Sequence, residues 1–435
     1  MKKLVRYLKL SSIFLAIVLL VRFINQSQII KIFPLALIND WSSYIAQLHF
    51  LNICGFHNYC PYWYNGFTTF LVTPPGWFFF TYPLLLITKN LLLSSFLSLL
   101  SIYLLGFIAI YHLGKKFNFS ITQRVFFYLA LFANAIAIGN YIRLGRVLEA
   151  FAFLAFITFA LLLLGYKDRL LDKKFTFVSL AYAVLILAHP TVLIAGSVLW
   201  LSLFLIKPLK EKAYIILGFI GSLTITSFWW VPYAKTFFNT AGTKSPITND
   251  LLNFSKEYIF QNIATFIVPI TLCIIFYFYW KSKNKPSKET IFFAPILILS
   301  GLLFFRLDPF IPILKYVYPD VQMQIFLFFI LFLFLQLDFE KINPYIKKAA
   351  YLSIVLATIA SISITFFYTP WFVKPGELEQ NTLDLLHSVY GRFIIAGGKN
   401  YPSSYAKAYF SYAPIYLNLS TSSGWYKIPS TEYFD

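Results

Sequence analysis

Long apolar segments alternate with short basic ones along almost the whole chain. Apolar runs of about 20 residues, as helices, cross a hydrocarbon layer roughly 30 Å thick. The pattern predicts an all-α, polytopic membrane protein with about 11 transmembrane helices. We place these spans at 10–28, 84–113, 121–140, 147–166, 174–189, 190–206, 213–233, 259–280, 290–305, 323–338 and 349–368.

Prolines and glycines interrupt the apolar pattern at two places. The segment 68–83, "TTFLVTPPGWFFFTYP", contains three prolines, which disfavour a helix interior, so we predict a surface element there. The apolar run 174–206 contains Pro190 and Gly196, which predict a break into two short helices. The first residues resemble a secretion signal but lack a small-residue cleavage site, and we interpret them as a retained first span.

The basic residues predict the orientation in the membrane. More than half of the 36 Lys and Arg residues fall in the N-terminal segment and in five short gaps between spans. With the N-terminus cytoplasmic, all these gaps are cytoplasmic, as the positive-inside rule requires, and the C-terminal end is external. The net charge of +19 therefore does not indicate a nucleic-acid partner, because the basic residues are dispersed between spans. With 59% hydrophobic and only 12% charged residues, a soluble protein is excluded.

The spans form one predicted transmembrane domain, 1–368, with a large first external loop at 29–83. A small external region, 369–435, follows, and "GELEQNTLDLLHSVYGRF" within it predicts an amphipathic helix. This region ends without a cap or a last span, so we expect either a truncated chain or a small external domain. Cys54 and Cys60 lie in the first loop, where a disulfide and two free thiols are both consistent with the sequence.

Unusual polar residues collect on the predicted external side. Asp40, the only acidic residue before Glu149, lies in the first loop with His49 and His57. The other candidates on this side are Arg143, Arg146, His189, Lys235, Arg306, Asp308, Lys315, Asp320 and Gln322. Ionisable groups at membrane depth are costly and usually functional. The sequence has no Gly-rich phosphate loop, nucleophile elbow or zinc motif, which argues against cytoplasmic nucleotide chemistry.

Asp40 precedes a helical pattern that begins at Trp41. It is either the N-cap of that helix, worth about 1 kcal/mol, or a general base or metal ligand at the membrane boundary. Arg143, Arg146 and Glu149 are spaced i, i+3, i+6, so a continuous helix would place them on one face. They form either an ion-pair cluster or a phosphate site, because guanidinium groups present forked donors.

Four segments in order carry a resemblance to known proteins: "NDWSSY…G…CPYWYNGF…TPPGWFFFTYPL", "LGRVLEAFAFLAF", "AHPTVLI" and "YPDVQMQIFLFFILFLFL". Together they cover roughly residues 30–340. They resemble the GT-C superfamily of polytopic glycosyltransferases. Within it, the chain looks most like the archaeal and bacterial membrane proteins called 6-pyruvoyl-tetrahydropterin synthase-related.

This resemblance implies transfer of a sugar from a polyprenyl-phosphate donor to an acceptor on the outer face of the cell membrane. Asp40 is then the candidate base, and Glu149 orients the arginines or binds the acceptor. Arg143, Arg146 and His189 are the candidate contacts to the donor phosphate. Metal-dependent members often have paired acids in the first loop, whereas here Asn precedes the Asp. A divalent metal such as Mg²⁺ or Mn²⁺ therefore receives weak support. The resemblance implies no other cofactor.

Two other classes of function remain open. A transporter or flippase for a lipid-linked or polar substrate predicts an internal repeat, which the sequence lacks. A non-catalytic membrane scaffold predicts that the charged positions tolerate substitution. Secondary site candidates in all three cases are His49, His57, Lys235, Arg306 and Gln322.

Overall fold

The computed structural model describes residues 2–35, 39–240, 259–283, 287–312, 314, 317, 319–395 and 407–424. Lys315 and parts of the C-terminal region lie outside these ranges. The helices are α1 (Lys2–Gln26), α2 (Trp41–Ile53), α3 (Gly76–Thr88), α4 (Leu91–Leu113), α5 (Ile121–Phe132), α6 (Ala135–Leu144), α7 (Val147–Leu164), α8 (Thr176–Ala188), α9 (Pro190–Ile206), α10 (Leu209–Ile225), α11 (Ser227–Thr240), α12 (Ile259–Ser282), α13 (Ser287–Phe304), α14 (Pro319–Leu335), α15 (Pro344–Phe367), α16 (Glu377–His387) and α17 (Lys407–Tyr416). Strands β1 (Tyr59–Cys60) and β2 (Phe67–Thr68) pair antiparallel, and β3 (Arg392–Phe393) and β4 (Ser420–Thr421) pair parallel.

The helices confirm a multi-pass membrane architecture. Six helices of the described chain are long and apolar enough to cross a membrane, namely α1, α4, α7, α12, α13 and α15. The number rises to eight if the bent pairs α5–α6 and α10–α11 each form one span. Helices α3, α9 and α14 are apolar but shorter. Each of the eleven predicted segments overlaps a helix, but the count of eleven spans is not confirmed.

The segment around 76–90 differs from the prediction. We expected a surface element up to residue 83 and a span from 84, but α3 begins at Gly76 and continues through Pro83. A helix-interior proline loses one hydrogen bond. The complete burial of Trp77 and Phe78 offsets that loss. Helix α4 starts separately, because the Asn90 side chain accepts a hydrogen bond from the backbone N–H of Leu93.

The predicted break in the apolar run 174–206 is confirmed. Of the two residues that predicted it, only Pro190 lies at the break. His189 is extended, and Pro190 is the first residue of α9, where its missing N–H costs nothing. Gly196 lies inside α9 instead. A Cβ there would come within 2.4 Å of the Leu185 side chain, so this glycine permits close packing of α8 and α9.

Helix α7 is the centre of the bundle. Of its residues, 89% are buried, on every side of the helix. It packs against α3, α4, α8, α9 and α14. A helix that is hydrophobic all round is typical of such a central position. Glu149, in its first turn, is therefore held by surroundings that leave it little freedom to move.

The first loop and the C-terminal region pack together at one end of the bundle. Helix α17 lies against α2, and Trp63 Nε1 donates a 2.8 Å hydrogen bond to the carbonyl of Phe410. A disulfide joins Cys54 to Cys60, which settles the alternatives left open by the sequence. The predicted amphipathic helix is confirmed as α16, which buries Leu383 among its apolar residues.

Ion pairs join the loops at the predicted cytoplasmic end. Lys167 Nζ lies 2.5 Å from Glu289 Oε1, which connects the end of α7 to the start of α13. Lys207 Nζ lies 3.2 Å from Glu211 Oε2 at the start of α10. The first pair joins two loops far apart in the chain, whereas the second lies within one short segment.

Candidate active site

The corner between α6 and α7 shapes the site. Residues Ile138–Leu144 of α6 form a wider π-helix, which ends at Gly145 in a left-handed conformation with φ +76°. Arg146 then becomes the N-cap of α7. The prediction that Arg143, Arg146 and Glu149 share one helix face is therefore wrong, because the left-handed residue redirects the chain between the two arginines.

Helix α2 docks onto this corner through its first residues. Trp41 Nε1 donates a 2.9 Å hydrogen bond to the carbonyl of Ile142, and the backbone N–H of Asp40 donates a 2.6 Å bond to the carbonyl of Leu144. The indole also lies against Gly145, where a Cβ would come within 2.2 Å of Trp41 Cδ1. Only glycine fits at this position, for space as well as for backbone angle.

Asp40 occupies the N-cap position of α2, but its carboxylate makes no capping hydrogen bond. Its backbone angles, φ −97° and ψ −10°, are close to helical, whereas a capping side chain needs an extended backbone. Asn39 takes that role instead, since its Oδ1 accepts a 3.0 Å bond from the N–H of Ser42. The capping interpretation of the Asp40 side chain is wrong.

Three carboxylates converge on the guanidinium of Arg146. Its Nη1 lies 2.9 Å from Asp320 Oδ2 and 3.8 Å from Glu149 Oε2, and its Nε lies 3.6 Å from Asp40 Oδ2. Asn140 Nδ2 donates a further 2.7 Å bond to Asp320 Oδ2. The structure thus brings Asp40 and Glu149 together, as expected, and adds Asp320. The sequence analysis placed Asp320 on the predicted external side but gave it no role. The signal that could have found it is the motif "YPDVQMQIF", which contains it.

The three acids differ in their access to solvent. The Asp40 side chain is 30% exposed, against 16% for Asp320 and 6% for Glu149. Asp40 is therefore the carboxylate that a substrate hydroxyl reaches most readily. Glu149 lies at the bottom of the cluster, where it contacts Arg146.

His189 lies at the junction of α8 and α9, where its Nδ1 accepts a 3.3 Å hydrogen bond from the backbone N–H of Thr191. Burial, and then the nearby positive charge of Arg146, lower the pKa of His189 from 6.5 to about 4. The imidazole is therefore neutral at neutral pH. It can donate a hydrogen bond from Nε2 but cannot offer a positive charge to a phosphate.

Most secondary candidates lie apart from this cluster. The His49 ring packs near Phe50, and His57 stacks on Phe56, with ring centroids 4.0 Å apart. Lys235 is exposed on α11. The ion pairs of Arg146 described above involve none of these three residues.

Arg306 and Gln322 are both buried. Arg306 is buried, and its Nη1 donates a 3.2 Å bond to Asn262 Oδ1. Gln322 is 4% exposed, and neither atom of its amide has a hydrogen-bond partner among the described residues. It lines a cavity of about 10 Å³ beside Thr191, which has room for about one water molecule.

The arrangement does not fit a divalent metal. Among the described residues, no group of three or more His, Cys, Asp or Glu side chains is arranged to hold an ion. The three carboxylates surround the guanidinium of Arg146, so a positive charge already stands where a cation would bind.

Comparisons with known proteins bear on the fold. A scan against protein-family models and a search of curated proteins gave no match. Among solved structures, the chain is similar to the oligosaccharyltransferase of Archaeoglobus fulgidus, with a TM-score of 0.54 and 12% identity over 94% of this chain and 62% of that one. It is also similar to the arabinofuranosyltransferase AftD from mycobacteria, with a TM-score of 0.51 and 13% identity over 88% of this chain and 29% of that one. The chain spans less than two-thirds of either neighbour. At this identity the likeness shows a shared fold alone.

Proposed function

We propose that this protein is a membrane glycosyltransferase that moves a sugar from a polyprenyl-phosphate donor to an acceptor on the external face of the cell membrane. The observation that carries the proposal is the convergence of Asp40, Glu149 and Asp320 on Arg146, in a fold shared with membrane glycosyltransferases. The N-terminus is then cytoplasmic, and about 11 segments cross or enter the bilayer. The four sequence motifs favour the 6-pyruvoyl-tetrahydropterin synthase-related group within the superfamily.

Asp40 is the general base of the proposed reaction. The acceptor hydroxyl oxygen attacks the anomeric carbon of the sugar, and its proton passes to the Asp40 carboxylate. The bond between the anomeric carbon and the phosphate oxygen breaks, and the polyprenyl phosphate leaves with that electron pair. Asp40 suits this role because it is the most exposed acid of the cluster. A positioned base of this kind contributes about 10²–10⁴ in rate.

Arg146 positions the carboxylates in this mechanism. Its guanidinium contacts all three acids and so holds the Asp40 carboxylate in place. Asp320 on α14 and Glu149 on α7 hold the guanidinium in place. Because these acids already surround its charge, Arg146 is less suited to a phosphate than we expected from the sequence.

Arg143 is the better candidate for the donor phosphate. It is 7% exposed, and its Nε has no hydrogen-bond partner among the described residues. A guanidinium without a carboxylate partner is available to the charge that grows on the departing phosphate. His189, which lies near Arg146, adds a neutral N–H donor.

Replacement of Asp40 by Asn tests the proposed base. Purified protein would be given radiolabelled polyprenyl-phosphate pentoses and hexoses with a membrane glycolipid extract as acceptor, and labelled product would be counted. We expect Asp40→Asn to lower turnover by about 10²–10⁴, while donor binding and the unfolding temperature stay close to wild type. The carboxylate makes no capping bond, so its loss should leave α2 intact.

Glu149→Gln is the matched control, since it also replaces a carboxyl group next to Arg146 by an amide. Glu149 Oε2 makes no hydrogen bond in the described structure, and its side chain is hardly exposed. We expect this variant to lose less than about tenfold in rate. Equal losses in the two variants would show that the carboxyl groups around Arg146 act as one structural unit, and that no base at position 40 governs the rate. Absence of transfer from every donor would reject glycosyl transfer itself.

A further inference from the structure

Asp320 sets the direction of the Arg146 guanidinium more than the other two acids do. Its Oδ2 accepts a 2.9 Å hydrogen bond from Arg146 Nη1. The nearest carboxylate oxygens of Asp40 and Glu149 lie 3.6 Å and 3.8 Å from the guanidinium nitrogens. A charge-assisted hydrogen bond at 2.9 Å restrains geometry more than the longer ion pairs do. Whatever fixes the Asp320 carboxylate therefore also fixes Arg146.

Asn140 is one of the groups that fix this carboxylate. Asp320 Oδ1 accepts a 3.0 Å hydrogen bond from the backbone N–H of Val321 in the first turn of α14. Oδ2 accepts a 2.7 Å bond from Asn140 Nδ2 in addition to the bond from Arg146. A carboxylate oxygen has two lone pairs and can accept both donors. The Asn140 side chain thus restrains the same oxygen that Arg146 contacts.

The backbone of Asn140 restrains Arg146 as well. Its carbonyl accepts a 2.9 Å hydrogen bond from the Arg146 N–H and another bond from the Gly145 N–H. Asn140 lies in the π-helical part of α6, where the wider turn joins residues five apart, and such turns are frequent at functional sites. Asn140 therefore contacts both partners of the closest ion pair in the cluster, Arg146 through its carbonyl and Asp320 through its amide.

A second asparagine shows what an amide contributes here when it only joins helices. Asn134, the N-cap of α6, donates a 3.3 Å hydrogen bond to Gln324 Oε1 on α14 and further bonds to carbonyls of α5. It joins α6 to α14, as Asn140 does, but these partners are all neutral. The Asn140 amide, by contrast, donates to a carboxylate that contacts Arg146.

We infer that Asn140 is a positioning residue of the proposed transfer reaction. It holds the Asp320 carboxylate against Arg146, and so fixes the direction in which the guanidinium holds Asp40. The inference rests on the proposed function, because Asp40 is the proposed base. Asn140 acts without touching the substrate. A displacement of about 1 Å at the reacting groups can cost about 10²-fold in rate, so the loss of this restraint is large enough to measure.

Replacement of Asn140 by Ala tests this role, because Ala removes the amide but keeps the carbonyl and suits a helix. The kcat and the KM for the donor would be measured per folded protein with the polyprenyl-phosphate sugar that the wild type uses. We expect kcat to fall at least about tenfold. The KM should stay within about twofold of wild type, because the lost contact is not made to the substrate.

Asn134→Ala is the matched control, since it loses an amide bond between the same two helices. We expect it to lower the unfolding temperature and to keep kcat within about twofold of wild type. An unchanged kcat in Asn140→Ala, or an equal fall in the two variants, would overturn the inference.

An exchange of the two side chains gives a readout that a packing role would not move. Asn140→Asp places a second carboxyl group beside Asp320, and Asp320→Asn removes the acid closest to Arg146. We expect each substitution alone to lower kcat at least about tenfold. The double variant again places one amide beside one carboxylate, and it should be at least about fivefold faster than the slower single variant. Simple addition of the two losses would contradict the inference.

Unfolding of the purified protein separates this inference from the proposed function, because it needs no sugar. In SDS-induced unfolding, the effects of Asn140→Ala and Asp320→Asn should depart from additivity by at least about threefold in the unfolding equilibrium constant. Additive effects would show that the bond restrains nothing and would overturn the inference, whatever the transfer assay gives. Coupled effects in a protein that transfers no sugar would reject the proposed function while supporting the restraint inferred for Asn140.

Discussion

Replacement of Gly145 by Ala tests how the first loop is fixed to the bundle. Gly145 has φ +76° and lies beneath the indole of Trp41. An alanine there meets two separate penalties. The left-handed backbone costs a residue with a Cβ roughly 1–2 kcal/mol. The Cβ would also lie 2.2 Å from Trp41 Cδ1, and since real contacts are longer, the ring must move.

The second penalty adds to the first. Forcing an extra carbon into a packed core typically costs about 1–3 kcal/mol. Displacement of the ring also weakens the 2.9 Å bond from Trp41 Nε1 to the Ile142 carbonyl. We therefore expect Gly145→Ala to lose about 2–5 kcal/mol of unfolding free energy. Asp40, next to Trp41 in the chain, should move away from Arg146. The rate of sugar transfer should therefore fall by more than the loss of folded protein explains.

Two measurements check this prediction. Thermal and SDS-induced unfolding in detergent would give the loss of stability, and the rate of sugar transfer would be measured on the same protein. Gly139→Ala is the matched control, because Gly139 lies in α6, the helix that ends at Gly145, and a Cβ there meets nothing within 4 Å. It should change the unfolding free energy by less than about 1 kcal/mol. The reasoning fails if Gly145→Ala is as stable and as active as Gly139→Ala.

Two further predictions concern pH. Because burial and Arg146 hold the pKa of His189 at about 4, transfer by His189→Asn should keep the wild-type dependence on pH between 6 and 8. A limb of the pH–rate profile that disappears in this variant would show that His189 titrates there. Burial raises the pKa of Asp308 from 3.8 to about 6, so the native state prefers the protonated acid, and its stability declines as pH rises from about 4 to about 6. Asp308→Asn should therefore gain on the order of 2 kcal/mol of unfolding free energy at pH 7.5 and little at pH 4. Thermal unfolding at the two pH values measures this difference, and an equal change at both would contradict the prediction.

The apolar pattern was sufficient to predict the membrane architecture and most helix positions. Each span depends on local composition, which a single sequence displays directly. The break before Pro190 and the amphipathic helix α16 were found for the same reason. Helix α3 was missed because prolines suggested a loop. The burial of Trp77 and Phe78, which a proline count does not register, favours the helix.

The site was predicted only in part. The scarcity of acidic residues singled out Asp40 and Glu149, and the structure brings both to Arg146. The roles of Asp320 and Asn140 depend on contacts between segments far apart in the chain. Asp320 is 174 residues from Arg146 and 180 residues from Asn140. No local pattern reports such pairs, so their partners could not be deduced from composition or spacing.

The packing of the first loop against the C-terminal region has a consequence for biosynthesis. Trp63 bonds a carbonyl 347 residues later, so the loop cannot complete its native contacts while the ribosome is still making the bundle. At about 5–20 residues per second, the wait is roughly 20–70 s. The cysteines of the loop, only six residues apart, do not depend on that late segment. The nascent loop therefore stays half-assembled until the segment that carries Phe410 has been made.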